Sequence, residues 1–260
     1  MQELSKDPLA PLNRFSNKVE NYVKYRPHYP DKIIMTLKDE KILKDESTIA
    51  DVGCGTGILT ELFLRNGNKV YGVEPNKEMR EVGEKLLKLY NNFISINGTA
   101  ESTTLQDKSV DIVTAAQAFH WFDKERAKDE FLRIMKPAGY VVVVWNTVRK
   151  TETPFLRAYE SLLFKYGIDY AKVKHENTTG EVMQKFYDKS GFKFVSFYNE
   201  QIFDYEGLKG RLLSSSYIPT ESQPGYNEML DELKKVFVEH NIDGKVKFEY
   251  DTNMYWGSLI

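Results

Sequence analysis

The sequence predicts an α/β fold built on a doubly wound, mainly parallel, seven-stranded sheet, and three observations carry that prediction. From Ile49 to Trp145, apolar strand-like runs alternate with helical patterns. The run "YVVVVW" is almost continuously apolar, as expected of a strand covered on both faces. The stretch "IADVGCGTGILTEL" passes from an apolar lead-in through three alternating glycines into helical spacing. Strands that alternate with helices pair in parallel through right-handed crossovers.

The elements follow in order. "TIADVG" reads as the first strand, and Leu59, Leu62 and Phe63 recur at helical spacing before Gly67. "KVYGVE" is the second strand, and Asn76 caps the helix after it. "FISIN" and "VDIVTAAQ" are the third and fourth strands; a helix starts near Asp123, and "GYVVVVW" is the fifth strand. Beyond Thr147, helix-like stretches span Pro154 to Tyr166 and Thr179 to Ser190, stopped by Gly167 and Gly191. A strand, "FKFVSFYNEQIF", a helical insert from Tyr205 to about His240 and a last strand, "KVKFEYDTNMYWG", complete the chain. No internal repeat or low-complexity linker divides it, so a single domain over 1–260 is expected, with an N-terminal cap (1–30), a core (45–147) and a substrate lid insert (205–242).

Composition narrows the function. The 36 Lys and Arg residues against 38 Asp and Glu leave a net charge of -2, which gives no bulk attraction to nucleic acid or an anionic membrane. Cys54, the single cysteine, excludes an intramolecular disulfide, and with four histidines and no cluster of carboxylates no metal site is expected. The N-terminal residues lack an apolar signal core, and the longest apolar run is too short to cross a bilayer, so the expectation is a soluble, cytoplasmic protein. The oligomeric state is not legible.

Glycines in a strand-to-helix turn permit positive φ and close backbone approach, beside amides at a helix start that favour a polar ligand. A dinucleotide fingerprint begun at Gly53 and Gly55 would put its third glycine at Ile58, whereas the chain has it at Gly57. The Lys-Ser/Thr ending of a phosphate-binding P-loop is missing as well. Glu74 follows Gly53 by about 20 residues, the separation expected of an acid that accepts from ribose hydroxyls. Taken singly, the glycines could be a tight turn without a ligand and Glu74 a solvated strand-end acid; their joint spacing favours a nucleoside cofactor. Cys54 reads as a small filler inside the turn.

The pattern Asp51-x-Gly53-x-Gly55-x-Gly57, followed by Glu74 and by "NGTAE" after the third strand, resembles the class I S-adenosylmethionine-dependent methyltransferases over about residues 49 to 145. The resemblance implies S-adenosyl-L-methionine as cofactor and a Rossmann-like methyltransferase fold. It places Asp51, Gly53, Gly55 and Gly57 behind the methionine part, Glu74 on the ribose, and Thr99, Ala100 and Glu101 beside adenine, with Gln117 also on the cofactor side. Many members carry Asp where this chain has Thr99, so the adenine amine contact falls to the Thr99 hydroxyl or the main chain.

The fourth strand empties into "AAQAFHWFDKERA" at the carboxyl end of the sheet, where open α/β folds place their chemistry. It lacks the Pro-Pro-aromatic motif that DNA amino-methyltransferases use to hold a flipped base. "AQAFHWFD", with "YVKYRPHYP" near the N-terminus, looks like the small-molecule subgroup that includes trans-aconitate methyltransferase. That resemblance implies a lid carrying Tyr22, Tyr25 and Arg26, with Arg26 on the methionine carboxylate. An aromatic, proline-stiffened cap is the alternative.

His120 reads either as a general base or as a buried hydrogen-bonder. Trp121 and Phe122 read as walls near the sulfonium or as core. "GLKGRLLSSSYIP" reads as a substrate lid, and Arg149, Arg211 and Tyr217 are the residues offered to an anionic acceptor. A small carboxylic acid is the expected acceptor, with a phenol, quinol or carbon acid as the alternative. The rival classes are a nicotinamide-dependent oxidoreductase, opposed by Ile58, and a non-catalytic cofactor-binding subunit.

Overall fold

A strand whose residues are buried on both faces must lie inside a sheet, and β1 (Thr48–Val52) is such a strand: Ile49, Ala50 and Val52 have no solvent exposure. The computed structural model describes residues 23–168, 170, 180–215 and 217–259. In it β1 pairs in parallel with β2 (Lys69–Val73) on one side and β4 (Val110–Ala116) on the other. β3 (Phe93–Ile96) continues beyond β2, and β5 (Met135–Val148) lies beyond β4, both in parallel. β7 (Val246–Gly257) then runs antiparallel to β5, and β6 (Lys193–Phe203) antiparallel to β7. The seven-stranded order β3-β2-β1-β4-β5-β7-β6 is the doubly wound, mainly parallel sheet that the sequence predicts.

The valine run shows how the layers form. Val141 and Val143 face one apolar cluster and Val142 and Val144 the other, as the two-residue period of a strand requires. On one side pack α1 (Lys32–Asp39) and α2 (Ile58–Arg65), through Ile33, Leu37, Leu59, Leu62 and Phe63. The other side carries α4 (Lys124–Ile134) and α6 (Gly180–Tyr187), through Phe131, Ile134, Met183 and Phe186. Between β2 and β3 runs α3 (Lys77–Leu86), capped as expected by Asn76, whose side chain accepts from Met79 N; Asp123 caps α4 in the same way.

A third apolar cluster joins α5 (Pro154–Tyr166), α7 (Tyr205–Leu213) and α8 (Tyr226–His240) to the ends of β6 and β7 at Phe203, Val246 and Phe248. The helical insert expected from Tyr205 to about His240 is two helices, separated by a stretch that holds Pro219, Pro224 and Gly225. Gly191 ends its helix in the left-handed region at φ 68. Gly167 does not: its φ is -69, and it is required because a Cβ there would lie 2.5 Å from Leu163 O. Among the described residues no helix is long and apolar enough to cross a membrane.

β1 and β4 flank the point where the strand order reverses, and one carboxylate joins them. Asp51, 1% exposed, accepts from Thr60 Oγ1 of α2 at 2.6 Å and from Thr114 Oγ1 of β4 at 2.8 Å. A buried acceptor robbed of its donor loses about 1–3 kcal/mol. Thr114→Val should therefore lower the unfolding free energy by about that amount, measured as a fall in the urea midpoint at an unchanged slope.

Candidate active site

The three turn glycines, Gly53, Gly55 and Gly57, have φ of 68, 58 and 90, all in the region that penalises a Cβ. Their surroundings differ. A Cβ on Gly53 would lie 2.6 Å from Ala118 Cβ, and one on Gly57 2.5 Å from Leu87 Cδ1, so packing alone demands bare backbone at both. Around Gly55 the nearest atom is Met79 Cε at 3.3 Å, the free end of a flexible chain, which leaves this glycine the open face of the turn.

Glu74, at the end of β2, closes the turn from beside it. Its carboxylate accepts from Gly55 N at 2.9 Å and from Asn76 N at 2.8 Å, while Arg80 donates to its main-chain oxygen. Burial raises the carboxyl pKa, and the two amides work against that rise. α2 begins at Gly57 with no side-chain cap, and the buried Thr56 hydroxyl beside it has no partner among the described residues. Asp51 has each oxygen engaged by a threonine, so it is a strut beneath the turn and has no oxygen left over for a ligand contact of its own. Burial holds the Cys54 thiol well above its ordinary pKa, in keeping with a filler. After β3, Thr99 and Ser102 bridge each other's main chains, Ala100 is buried, and Glu101 accepts from Asp123 N at 2.9 Å.

At the end of β4, Gln117 takes a left-handed φ of 53 and accepts from Asn146 N through Oε1 at 2.7 Å. The chain then turns through Phe119–Trp121. His120 packs between Trp121 and the edge of Trp145, at ring distances of 4.3 and 4.9 Å, and its buried Nδ1 has no partner. Burial, then the Lys124 charge, push the His120 pKa down to about 4, so the imidazole is neutral at pH 7.

Gln117, His120 and Trp121 open onto a cavity of about 210 Å³, which Arg26, Arg211 and Tyr217 also line; the turn glycines, Asp51, Glu74 and Thr99 to Glu101 are not in its lining. Arg211 is 5% exposed, lies over the Phe248 ring at 5.2 Å and donates to Tyr250 OH at 3.2 Å. No carboxylate pairs with it among the described residues. Burial opposes its charge, but the surrounding tyrosine oxygens, Tyr250 first, outweigh that and hold the guanidinium above its ordinary pKa. Arg26 donates to Ser214 O at 2.9 Å, and Tyr25 fills the space left by Gly210 of α7, so the N-terminal segment and the insert meet over the cavity. Tyr22 lies outside the described residues.

Arg149 is elsewhere: its guanidinium grips Asp251 Oδ1 at 2.7 and 2.9 Å and is absent from the cavity lining. Its neighbour Lys150 lines the wall instead, bonded to Tyr170 OH at 2.6 Å and Glu160 at 3.2 Å. Two more lining residues escaped the sequence reading: Tyr159, whose buried hydroxyl has no partner among the described residues, and Asn146. Both left a signal. Tyr159 shares helical spacing with the lining residues Leu156 and Leu163, and Asn146 is a polar residue directly after "VVVVW" at the carboxyl end of a strand.

Comparison with known proteins agrees with this geometry. Residues 50–143 match a family described as a methyltransferase domain. An uncharacterized methyltransferase-like protein of Schizosaccharomyces pombe is 29% identical over 93% of both chains. An uncharacterized methyltransferase of Mycobacterium tuberculosis is 38% identical over 51% of this chain and 52% of its own. Among solved structures, a protein assigned as a type II methyltransferase of Anaeromyxobacter dehalogenans superposes with a TM-score of 0.66 at 18% identity, over 91% of this chain and 99% of that one. At that identity the likeness shows the fold.

Two titrations at the site have opposite signs. An unfolded His120 takes its proton near pH 6.5 and the folded one near 4, so acidification across that window favours unfolding. Burial raises the Asp51 carboxyl to about 6, so the folded chain takes up that proton first and gains stability as pH falls from 6 towards 3.8. His120→Gln should remove an acid loss of about 2 kcal/mol between pH 7 and 4.5, read from urea midpoints of the two proteins at both pH values.

Proposed function

We propose that this chain, an S-adenosylmethionine-dependent methyltransferase, methylates a small carboxylic acid anchored by Arg211. The observation that carries the acceptor class is a buried, permanently charged guanidinium that lines the cavity and pairs with no carboxylate among the described residues, the Glu160 carboxylate of the same lining being engaged by Lys150 and Tyr170. A buried cation is stable only when paired, and an arginine fork suits a carboxylate, which it binds with two parallel hydrogen bonds. The likeness of "AQAFHWFD" and "YVKYRPHYP" to the trans-aconitate methyltransferase subgroup points the same way.

The residues on the cofactor side fit S-adenosylmethionine: an open Gly55, a shielded Glu74 carboxylate, an unpartnered Thr56 hydroxyl and an uncapped helix start. When bound, the cofactor supplies a methyl group activated on a sulfonium. In this reading Glu74 accepts from the ribose, and Thr99, Ala100 and Glu101 flank the base. Trp121 presents an aromatic wall towards the positive charge. The insert over 205–242, joined to Tyr25 and Arg26, excludes water from the cavity. Catalysis then consists of alignment and desolvation.

His120 orients and does not deprotonate. A base with a pKa of about 4 is poorly matched to a phenol or a carbon acid, whereas a carboxylate is already ionised at neutral pH and needs no base.

Glu74→Ala should weaken S-adenosylhomocysteine by roughly 10-fold or more in calorimetry, the loss typical of a charge-assisted hydrogen bond. An unchanged affinity in a folded variant would remove Glu74 from the cofactor site. With labelled cofactor and a panel of carboxylic acids, phenols and quinols, methylation should fall on carboxylic acids at a rate nearly flat above roughly pH 6. Arg211→Gln should raise the acceptor KM by roughly 10- to 100-fold. Methylation confined to phenols, rising with pH, contradicts the reading.

A further inference from the structure

We propose that Asn146 is a specificity-determining residue, donating a hydrogen bond from Nδ2 to an oxygen of the acceptor. The proposal rests on the carboxylate reading above and assigns the second polar contact at the same site.

Asn146 is 6% exposed, near the carboxyl end of β5, and lines the cavity together with Arg211 and His120. Its main-chain N–H donates to Gln117 Oε1 at 2.7 Å. The Thr252 hydroxyl donates to its Oδ1. Thr252 is fully buried on β7, and its hydroxyl has no other acceptor among the described residues. That hydroxyl proton therefore selects the amide oxygen and leaves Nδ2 as the free end, a group that can only donate. Nδ2 has no acceptor among the described residues.

An amide N–H₂ buried without a partner is a penalty that folded proteins rarely carry, and two further buried groups of cavity-lining residues, His120 Nδ1 and the Tyr159 hydroxyl, also have no partner among the described residues. All three atoms are closed to solvent as the site stands, so an entering acceptor reaches Nδ2 through a small shift of the wall. Arg211 and Asn146 both present donors, so the pair selects a molecule with oxygen acceptors and opposes an ammonium group, which would bring N–H towards N–H. The Gln117 contact fixes the main chain of Asn146 and the Thr252 contact its side-chain amide before the acceptor arrives, which lowers the ordering cost of binding.

Asn146→Asp tests the assignment because it keeps the shape and the oxygen that accepts from Thr252 while replacing the donor by a negative charge. The probes are succinate, citrate and benzoate, titrated into protein saturated with S-adenosylhomocysteine and followed by the fluorescence of Trp121 and Trp145, which flank His120. The variant should bind the tightest of these about 30-fold more weakly or worse, with S-adenosylhomocysteine affinity changed less than 2-fold. Asn146→Ala, which loses the donor without adding charge, should lose roughly 10-fold. Equal affinity for the carboxylate in wild type and Asn146→Asp overturns the Asn146 assignment and leaves the carboxylate reading intact. An equal loss in S-adenosylhomocysteine affinity also overturns it, because the donor then serves the cofactor. If the wild-type protein binds none of the three probes, the carboxylate reading falls and takes this inference with it.

Discussion

A desolvated carboxylate at the centre of the sheet is the constraint on which the site depends. Asp51 sits directly before the glycine turn and ties β1 to β4 through Thr114 and to α2 through Thr60. Those three elements leave the sheet where the strand order reverses, the place where open α/β folds gather their ligands. Burial raises the Asp51 carboxyl to about 6, so holding it there costs stability near neutral pH. What that cost secures is geometry: the turn after β1 and the loop after β4 are fixed relative to one another, and Gly53 packs against Ala118 across the gap.

From that fixed point the site divides by charge. On the side of β2, Glu74 holds a shielded negative charge against the turn amides. On the side of β5 and α7, Arg211 holds a buried positive charge among tyrosines and a phenylalanine face. Between them His120 is kept neutral by its burial and then by the Lys124 charge. A neutral middle flanked by a carboxylate and a guanidinium suits a cationic cofactor and an anionic acceptor brought together without a proton transfer.

The core was readily legible. Period-two and period-3.6 patterns, with Asn76 and Asp123 as caps, fix strand and helix identity locally, and alternation then dictates a parallel sheet. The glycine turn was legible for the same reason: Gly53, Gly55, Gly57 and Glu74 lie in two short segments whose spacing carries the information. The cavity was harder because its residues come from distant segments. Arg211 and Tyr217 were singled out, yet nothing local distinguishes Arg149, which pairs with Asp251 across neighbouring strands, from Arg211, which has no carboxylate. Tyr159 and Asn146 carry only a weak local signal, a helical spacing and a strand-end position. Only the tertiary packing shows that their polar ends have no partner in it.

Whether the methyl group ends on a carboxylate oxygen, as proposed for the Arg211 cavity, is tested most directly by the stability of the product bond. Protein incubated with methyl-labelled S-adenosylmethionine and a metabolite extract should yield labelled products that release their label as volatile methanol in mild alkali, as methyl esters do. Label that survives alkali, as in an ether, an amine or a C-methyl compound, would contradict the claim.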